Sequence, residues 1–317
     1  MPRIISTDLG VGVGLRVPHY AAILAERPPV DFFEVISENF MVEGGKPLFH
    51  LDRVLEHYPV VQHGVSLGIA GPDAPDRAYL ARLKQLLKRT KAPWVSDHFC
   101  WSGAGGAHLH DLLPIPYTPE AVRRTAERAR MIQDVLEVPF ALENTSSYLT
   151  YRSSTLSEWE FIGEIAERAD IGLLFDVNNV YVSAYNHGFE AETFVRSVPH
   201  ERIIQIHLAG HTHLGKYIID THRGTVTEAV LDLYRTTIQL AGPVSTLIEW
   251  DDEIPALPVL LAEAERARQV RNEGLALRAG QPSPPRRDPT ALPITSGERA
   301  GWKQGGPRES AAAEVVG

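Results

Sequence analysis

Short apolar runs and longer amphipathic segments alternate along the chain. The runs are rich in Val, Ile and Leu, which is typical of strands buried on both faces of a parallel sheet. Eight such runs can be distinguished, at residues 11–16, 31–37, 60–67, 94–99, 140–144, 171–179, 203–211 and 246–251. Because each run is shorter than a typical helix, we interpret them as eight strands.

The segments between the runs carry helix start signals. Thr118-Pro119-Glu120 offers an N-cap followed by proline at the first helical position, and Ser157 with Glu160 has the capping-box pattern. Strict alternation of eight strands with helices predicts a closed (β/α)8 barrel, the TIM barrel, rather than an open doubly wound sheet. No Gly-x-Gly-x-x-Gly motif of a dinucleotide-binding fold follows the first strand.

The barrel is predicted to form a single domain, residues 1–271. A (β/α)8 barrel takes about 250 residues, and 44% of the 317 residues are hydrophobic, enough for a full core. After residue 271, Pro, Gly, Arg and Ala become frequent, and such a composition cannot bury enough apolar surface to offset the entropy of ordering. We therefore predict that residues 272–317 are a disordered tail.

Charge and composition argue against several classes of protein. A net charge of −9 disfavours nucleic acid as a partner, because phosphate contacts require clustered Lys and Arg. No apolar stretch approaches the ~20 residues of a membrane span, and the N-terminus lacks an apolar signal region. The single cysteine, Cys100, excludes an internal disulfide and a thiolate-rich metal site. We expect a cytoplasmic protein whose metal ligands, if any, are nitrogen and oxygen atoms.

Side chains able to bind metal ions follow the predicted strands from the third onward. In a (β/α)8 barrel the C-terminal strand ends share one mouth, where barrel enzymes carry out catalysis. The nine candidate ligands are His63, His98, Glu143, Asp176, Asn179, His207, Asp220, His222 and Glu249. Since one ion takes about four to six ligands, nine donors imply two or three ions. Internal salt bridges are the alternative, but they require Lys or Arg near the same strand ends, and these runs contain almost none.

Further polar residues flank the nine candidates. Asp97 and Asp251 are close in sequence to predicted ligands, and either orient imidazole ligands or make hydrogen bonds to helices. His211 follows the seventh strand, and either reaches substrate and ions or is exposed in a loop. Glu34 and Glu38 either line the barrel mouth or cap the surface. We assign no catalytic residue beyond the metal ligands.

Several motifs closely resemble those of the multinuclear non-haem iron-dependent oxidative enzymes. Within residues 8–268 they are His63-Gly64-Val65, Ser96-Asp97-His98, Asp111-Leu112-Leu113-Pro114, Glu143-Asn144, Asp176-Val177-Asn178-Asn179, His207-Leu208-Ala209-Gly210-His211 and Glu249-Trp250-Asp251. The resemblance implies a xylose-isomerase-like barrel that holds two or three iron ions in the nine-residue set, with Glu143 as a bridging carboxylate and O2 as co-substrate. It also implies oxidative modification of cysteine, or of another residue, in a ribosomally synthesised precursor peptide, with a partner protein that binds the leader.

Other enzymes of the same barrel superfamily are the alternatives. Abasic-site endonucleases have a similar ligand spacing, as in His207 followed by Asp220-Thr221-His222, and metal-dependent hydrolases or sugar isomerases would use the ions without O2. Two features favour the oxidative family: Asn179 stands where the endonuclease pattern has a histidine, and the acidic chain lacks the basic loops of a DNA groove. A metal-binding scaffold without enzymatic activity would require ions with no free coordination position.

Overall fold

Twelve strands form a barrel and two hairpins in the computed structural model, which describes residues 7–286. In chain order they are β1 (Val11–Gly14), β2 (Phe33–Ile36), β3 (Val60–His63), β4 (Val95–His98), β5 (Trp101–Ala104), β6 (Ala107–Leu113), β7 (Phe140–Glu143), β8 (Gly172–Asp176), β9 (Ile203–Ala209), β10 (His211–His213), β11 (Ile218–Asp220) and β12 (Ser245–Glu249). The parallel barrel closes in the order β1-β12-β9-β8-β7-β4-β3-β2. The pairs β5–β6 and β10–β11 are antiparallel hairpins outside it.

Helices connect the barrel strands. In chain order they are α1 (Tyr20–Glu26), α2 (Lys46–Leu55), α3 (Arg77–Thr90), α4 (Pro119–Leu136), α5 (Glu158–Ala169), α6 (Val177–His187), α7 (Ala191–Ser197), α8 (Glu228–Ala241) and α9 (Leu257–Arg278). Thr118 caps α4 by accepting a hydrogen bond from Ala121 N at 3.2 Å, and Ser157 and Glu160 form a complete capping box at α5. Both predicted helix starts are therefore confirmed. None of the helices between residues 7 and 286 is both long and apolar enough to cross a bilayer.

Each predicted run contains one barrel strand, which confirms the (β/α)8 fold. Strand β8 is shorter than the sixth predicted run, residues 171–179, because α6 begins directly after Asp176. The two hairpins were not predicted. They lie in the connections that follow β4 and β9, and β10 and β11, with three residues each, are too short to show a clear periodic pattern.

Helix α9 passes through residue 271, the predicted domain boundary, and continues to Arg278. Gly274 lets α9 approach α8 closely: a Cβ at this position would lie 2.8 Å from the carbonyl oxygen of Arg235. The neighbouring Glu273 accepts a hydrogen bond from the Arg235 side chain at 2.8 Å. These contacts with α8 stabilise the extension of the helix beyond the predicted boundary. The rest of the predicted tail, residues 287–317, lies outside the described residues.

An apolar layer fills the inside of the barrel beneath its mouth. Its buried members are Phe32, Val61, Trp94, Ala141, Leu174, Ile204 and Leu247. Because strand side chains alternate between two faces, residues two positions further along a strand also point inward. On β3, β7, β8 and β12 these next inward residues are His63, Glu143, Asp176 and Glu249. The apolar layer therefore forms the floor of a polar site.

Candidate metal centre

Three groups of possible metal ligands lie side by side above this floor, and each group is held together by ligand atoms within 4.8 Å of one another. Group 1 is His63, His98 and Glu143; group 2 is Glu143, Asp176, His207 and Glu249; group 3 is His222, Glu249 and Asp251. Glu143 belongs to groups 1 and 2, and Glu249 belongs to groups 2 and 3. Two carboxylates therefore link the three groups into one continuous centre.

Group 1 is arranged around one oxygen of Glu143. The Nε2 atoms of His63 and His98 lie 3.3 and 3.4 Å from Glu143 Oε2. On the other side of each ring, His63 Nδ1 is 2.8 Å from the Ser96 hydroxyl and His98 Nδ1 is 3.1 Å from the Gly64 carbonyl oxygen. A proton on each Nδ1 completes these hydrogen bonds and leaves both Nε2 lone pairs directed at the same point.

Group 2 is the most deeply buried of the three. His207 Nδ1 lies 3.1 Å from Glu249 Oε2 and 3.6 Å from Glu143 Oε1. Glu143 thus presents one oxygen to group 1 and the other to group 2, as a bridging carboxylate would. Every residue of the group is at most 5% exposed.

The motif Asp176-Val177-Asn178-Asn179 builds the edge of group 2 through the start of α6. Asp176 caps this helix, because its Oδ1 accepts a hydrogen bond from Asn179 N at 2.6 Å. Asn144 exchanges two hydrogen bonds with the Asp176 backbone, at 2.9 and 3.0 Å, and its own carbonyl oxygen accepts one from Asn179 Nδ2. These contacts leave Asp176 Oδ2 and Asn179 Oδ1 free of protein partners.

Group 3 is closer to solvent. His222 Nδ1 lies 3.4 Å from Glu249 Oε2 and 3.3 Å from Asp251 Oδ2, so Asp251 offers a possible ligand atom. Asp220 lies 3.0 Å from Nε2, on the other side of the His222 ring. Asn178 Nδ2 donates a hydrogen bond to Asp220 at 2.9 Å.

Buried polar atoms without a hydrogen-bond partner concentrate in this centre. Of the thirteen such side-chain atoms in the part of the chain that the structure describes, five lie here: Glu143 Oε2, Asp176 Oδ2, Asn179 Oδ1, His207 Nδ1 and Glu249 Oε2. Each unsatisfied buried group costs about 1–3 kcal/mol, more if it is charged, and folded proteins rarely leave several together. Cations bound by nitrogen and oxygen atoms would satisfy all five, so these residues fit a multinuclear metal centre.

The pKa values follow from the same crowding. Burial, then Glu143 and Asp220, raises the pKa of Asp176 well above its ordinary range. Burial lowers the pKa of His98, but Glu143 and then Asp97 outweigh it and raise that pKa to about 9. Burial, with His98 and His207 nearby, holds the pKa of His63 well below its ordinary range. Metal binding would therefore displace protons from the centre, since ions bind only the deprotonated ligands.

Two further residues predicted to support the ligands do contact them or their neighbours. Asp97 is buried, accepts hydrogen bonds from His98 N at 2.7 Å and Leu67 N at 3.2 Å, and thereby fixes the loop after β3 beside His98. His211 is half-buried; its Nδ1 lies 2.7 Å from Asn178 Oδ1, and its ring stacks on Tyr181. His211 therefore touches Asn178, which donates a hydrogen bond to Asp220.

Two charged residues at the first two strands also contact the centre; the sequence had suggested Glu34 only as one of two alternatives, and it had not suggested Arg16. Glu34 on β2 is only 1% exposed and lies 3.1 Å from His207 Nε2, so it is not a surface cap. Arg16, just after β1, forms an ion pair with Asp251, although the strand ends were expected to be nearly free of cations. The signal for Glu34 was its position two residues after the inward-facing Phe32.

Gly210, between β9 and β10, lies against the loop that carries His222. The Cβ of an alanine here would lie 2.6 Å from the carbonyl oxygen of Gly224. It would also collide with the carbonyl oxygen of Arg223. We expect Gly210→Ala to displace this loop and to lower the free energy of unfolding by about 1–3 kcal/mol. Denaturant unfolding measures the change, and Gly44→Ala is the matched control because its Cβ would meet no atom within 4 Å. Equal stability of the two variants would contradict the prediction.

A family model described as RiPP precursor modification enzyme MbnB/TglH/ChrH matches residues 10–272. The chain is 51% identical over 268 residues to a UPF0276 protein of Anaeromyxobacter sp. (strain Fw109-5), covering 84% of this chain and 95% of that protein. It is 50% identical over 260 residues to a UPF0276 protein of Caulobacter vibrioides (strain NA1000 / CB15N), covering 82% of this chain and 93% of that protein.

Solved structures with a similar fold have low sequence identity. L-ribulose 3-epimerase is similar with a TM-score of 0.54 and 14% identity, over 87% of this chain and 93% of that chain. A xylose isomerase-like TIM barrel/4-hydroxyphenylpyruvate dioxygenase fusion protein gives a TM-score of 0.52 and 12% identity, over 88% of this chain and 46% of that chain. They confirm the xylose-isomerase-like barrel, and the family match over nearly all of that barrel confirms the resemblance of its strand-end motifs. The chain therefore belongs to the RiPP precursor modification enzyme family MbnB/TglH/ChrH.

Proposed function

We propose that this protein uses two or three iron ions and O2 to oxidise cysteine, or another residue, of a ribosomally synthesised precursor peptide. Membership of a family of precursor modification enzymes supports the peptide substrate. The observation that carries the metal proposal is the set of three ligand groups linked by Glu143 and Glu249. Shared carboxylates hold neighbouring ions close enough to act on one substrate.

The ligands divide among the ions according to the three groups. His63, His98 and Glu143 would hold the first ion, while Asp176, Asn179 and His207 with both shared carboxylates would hold the second. A third ion would bind to His222, Glu249 and Asp251, with Asp220 beside the His222 ring. These donors suit iron, manganese and zinc alike, so the choice of iron rests on the family resemblance.

Iron in this centre would supply the one-electron chemistry with O2 that the side chains around it cannot provide. The protein residues have other tasks. Ser96 and Gly64 fix the orientation of the two imidazoles in group 1. The apolar floor, including Val61 and Leu174, excludes water from beneath the ions. The C-terminal mouth of the barrel gives a peptide access from the opposite side.

The test is anaerobic purification with metal analysis, followed by incubation with precursor peptides encoded beside the gene. The protein encoded next to them is added as the proposed leader-binding partner. We expect iron in the purified protein and a change in peptide mass that requires both iron and O2. An unchanged mass for every such peptide, with iron loaded and O2 and the neighbouring protein present, would contradict the proposal. Turnover of sugars without O2, with Mn²⁺ or Zn²⁺ bound, would support an isomerase or hydrolase instead.

A further inference from the structure

We propose that Glu34 is a positioning residue for the metal centre. It determines which of the two ring nitrogens of His207 is free to bind an ion. The inference rests on the proposed function only in requiring that an ion occupy group 2. Glu34 belongs to none of the three ligand groups, and it approaches His207 from below, on β2. A buried acid is costly unless it has a defined partner, and the partners of Glu34 are His207 and Gln205.

Two groups compete for Nε2 of His207. Glu34 Oε2 lies 3.1 Å from it and can only accept a hydrogen bond when ionised, which requires a proton on Nε2. Gln205 Nε2 lies 2.9 Å from the same atom and can only donate, which requires Nε2 without a proton. The two contacts therefore favour opposite tautomers of the imidazole.

Trp94 fixes the orientation of the Gln205 amide. The indole Nε1 of Trp94 is a donor only, and it lies 2.6 Å from Gln205 Oε1. The amide nitrogen of Gln205 must then face Glu34, to which it donates a hydrogen bond at 2.6 Å. Glu34 thereby accepts one of the two Gln205 amide protons, and its negative charge, 3.1 Å from His207 Nε2, favours a proton on that nitrogen.

The Glu34 carboxylate thus places the His207 proton on Nε2 and leaves the Nδ1 lone pair free. Nδ1 is the atom that faces Glu143 and Glu249, and it has no hydrogen bond within the protein. Without the negative charge of Glu34, Nε2 would accept from Gln205 and the proton would move to Nδ1. That tautomer cannot bind an ion in group 2.

The decisive variant is Glu34→Gln, which keeps the shape and removes the charge. Binding of Co²⁺ is measured by competition with a chelator, and the exchangeable ring proton of His207 is followed by ¹H NMR in the Co²⁺ protein. We expect affinity for one of the bound ions to fall about 10–100-fold. The strongly shifted resonance of His207 Nε2–H, identified by its absence in His207→Ala, should disappear or move.

The control is Glu273→Gln. Glu273 is another buried carboxylate; it lies on α9, accepts hydrogen bonds from Arg235 and Arg286, and belongs to none of the three groups. It should leave Co²⁺ affinity and the His207 resonance unchanged. Unchanged affinity and resonance in Glu34→Gln, or an equal loss in both variants, would overturn the inference.

If Glu34→Gln does not fold, Trp94→Phe is the second variant. Freeing the Gln205 amide should weaken Co²⁺ binding severalfold, and unchanged binding would overturn the inference. Wild-type protein that binds no Co²⁺ would overturn the proposed metal centre itself.

Discussion

Replacing Glu143 by glutamine is expected to abolish metal binding in groups 1 and 2, and with it the proposed peptide oxidation. Glu143 Oε2 is approached by His63 and His98, and Oε1 by His207, so one substitution removes a negative ligand from both groups. Loss of a supporting partner already weakens metal affinity by about 10–100-fold. Loss of a shared ligand should exceed that range. Chelator competition and metal analysis of the purified variant measure the effect.

The same substitution should leave the stability of the metal-free protein nearly unchanged, which separates loss of a ligand from general damage. Glu143 repels the buried Asp176 carboxyl, but it also attracts the His98 imidazole, whose pKa it raises. Because removing its charge removes both interactions, the free energy of unfolding without metal should change by less than about 1 kcal/mol. Glu263→Gln is the control: this buried carboxylate accepts hydrogen bonds from Val226 N and Arg266, and its loss should lower stability and spare the metal. Full metal occupancy in Glu143→Gln would refute its role as a ligand.

The positions of the candidate ligands on the barrel strands could be predicted because two simple rules locate them. Alternation along a strand puts Glu143 two residues after Ala141 and Glu249 two residues after Leu247, on the inner face. Closure of a parallel barrel then brings these distant segments to one mouth. Neither rule depends on loop conformation, and both apply as soon as the strands are recognised.

Residues whose function depends on side-chain rotation could not be predicted in the same way. Alternation also places Glu34 on the inner face, but its contact with Nε2 of His207 depends on how that ring is turned. Asp251 lies at Nδ1 of His222 and Asp220 at Nε2 because the ring turns Nδ1 toward Glu249, and the His222 backbone has a φ of 47°. A left-handed residue in an irregular loop leaves no periodic signal in the sequence.

Metal ions at the mouth should also stabilise the barrel strongly, so that their removal lowers Tm. Without ions, the centre contains buried atoms of Glu143, Asp176, Asn179, His207 and Glu249 that lack partners. An ion that binds only the folded state contributes about 4 kcal/mol when its free concentration is 1,000 times its Kd. For two such ions, at about 2–4 °C per kcal/mol, we expect chelation to lower Tm by more than about 15 °C. Calorimetry under anaerobic conditions, before and after treatment with a chelator, measures the difference.

The fall in Tm should occur without loss of the fold at low temperature. The apolar floor of Phe32, Val61 and Trp94 is complete without ions, so far-ultraviolet circular dichroism at 20 °C or so should be unchanged by chelation. Glu143→Gln should show little of the chelator effect, because its groups 1 and 2 no longer bind ions, whereas Gly44→Ala should show all of it. If chelation leaves Tm of the iron-loaded wild-type protein unchanged, the buried atoms without hydrogen-bond partners in groups 1 to 3 are not metal ligands. The three groups would then have to be explained by proton sharing among buried carboxylates and imidazoles alone.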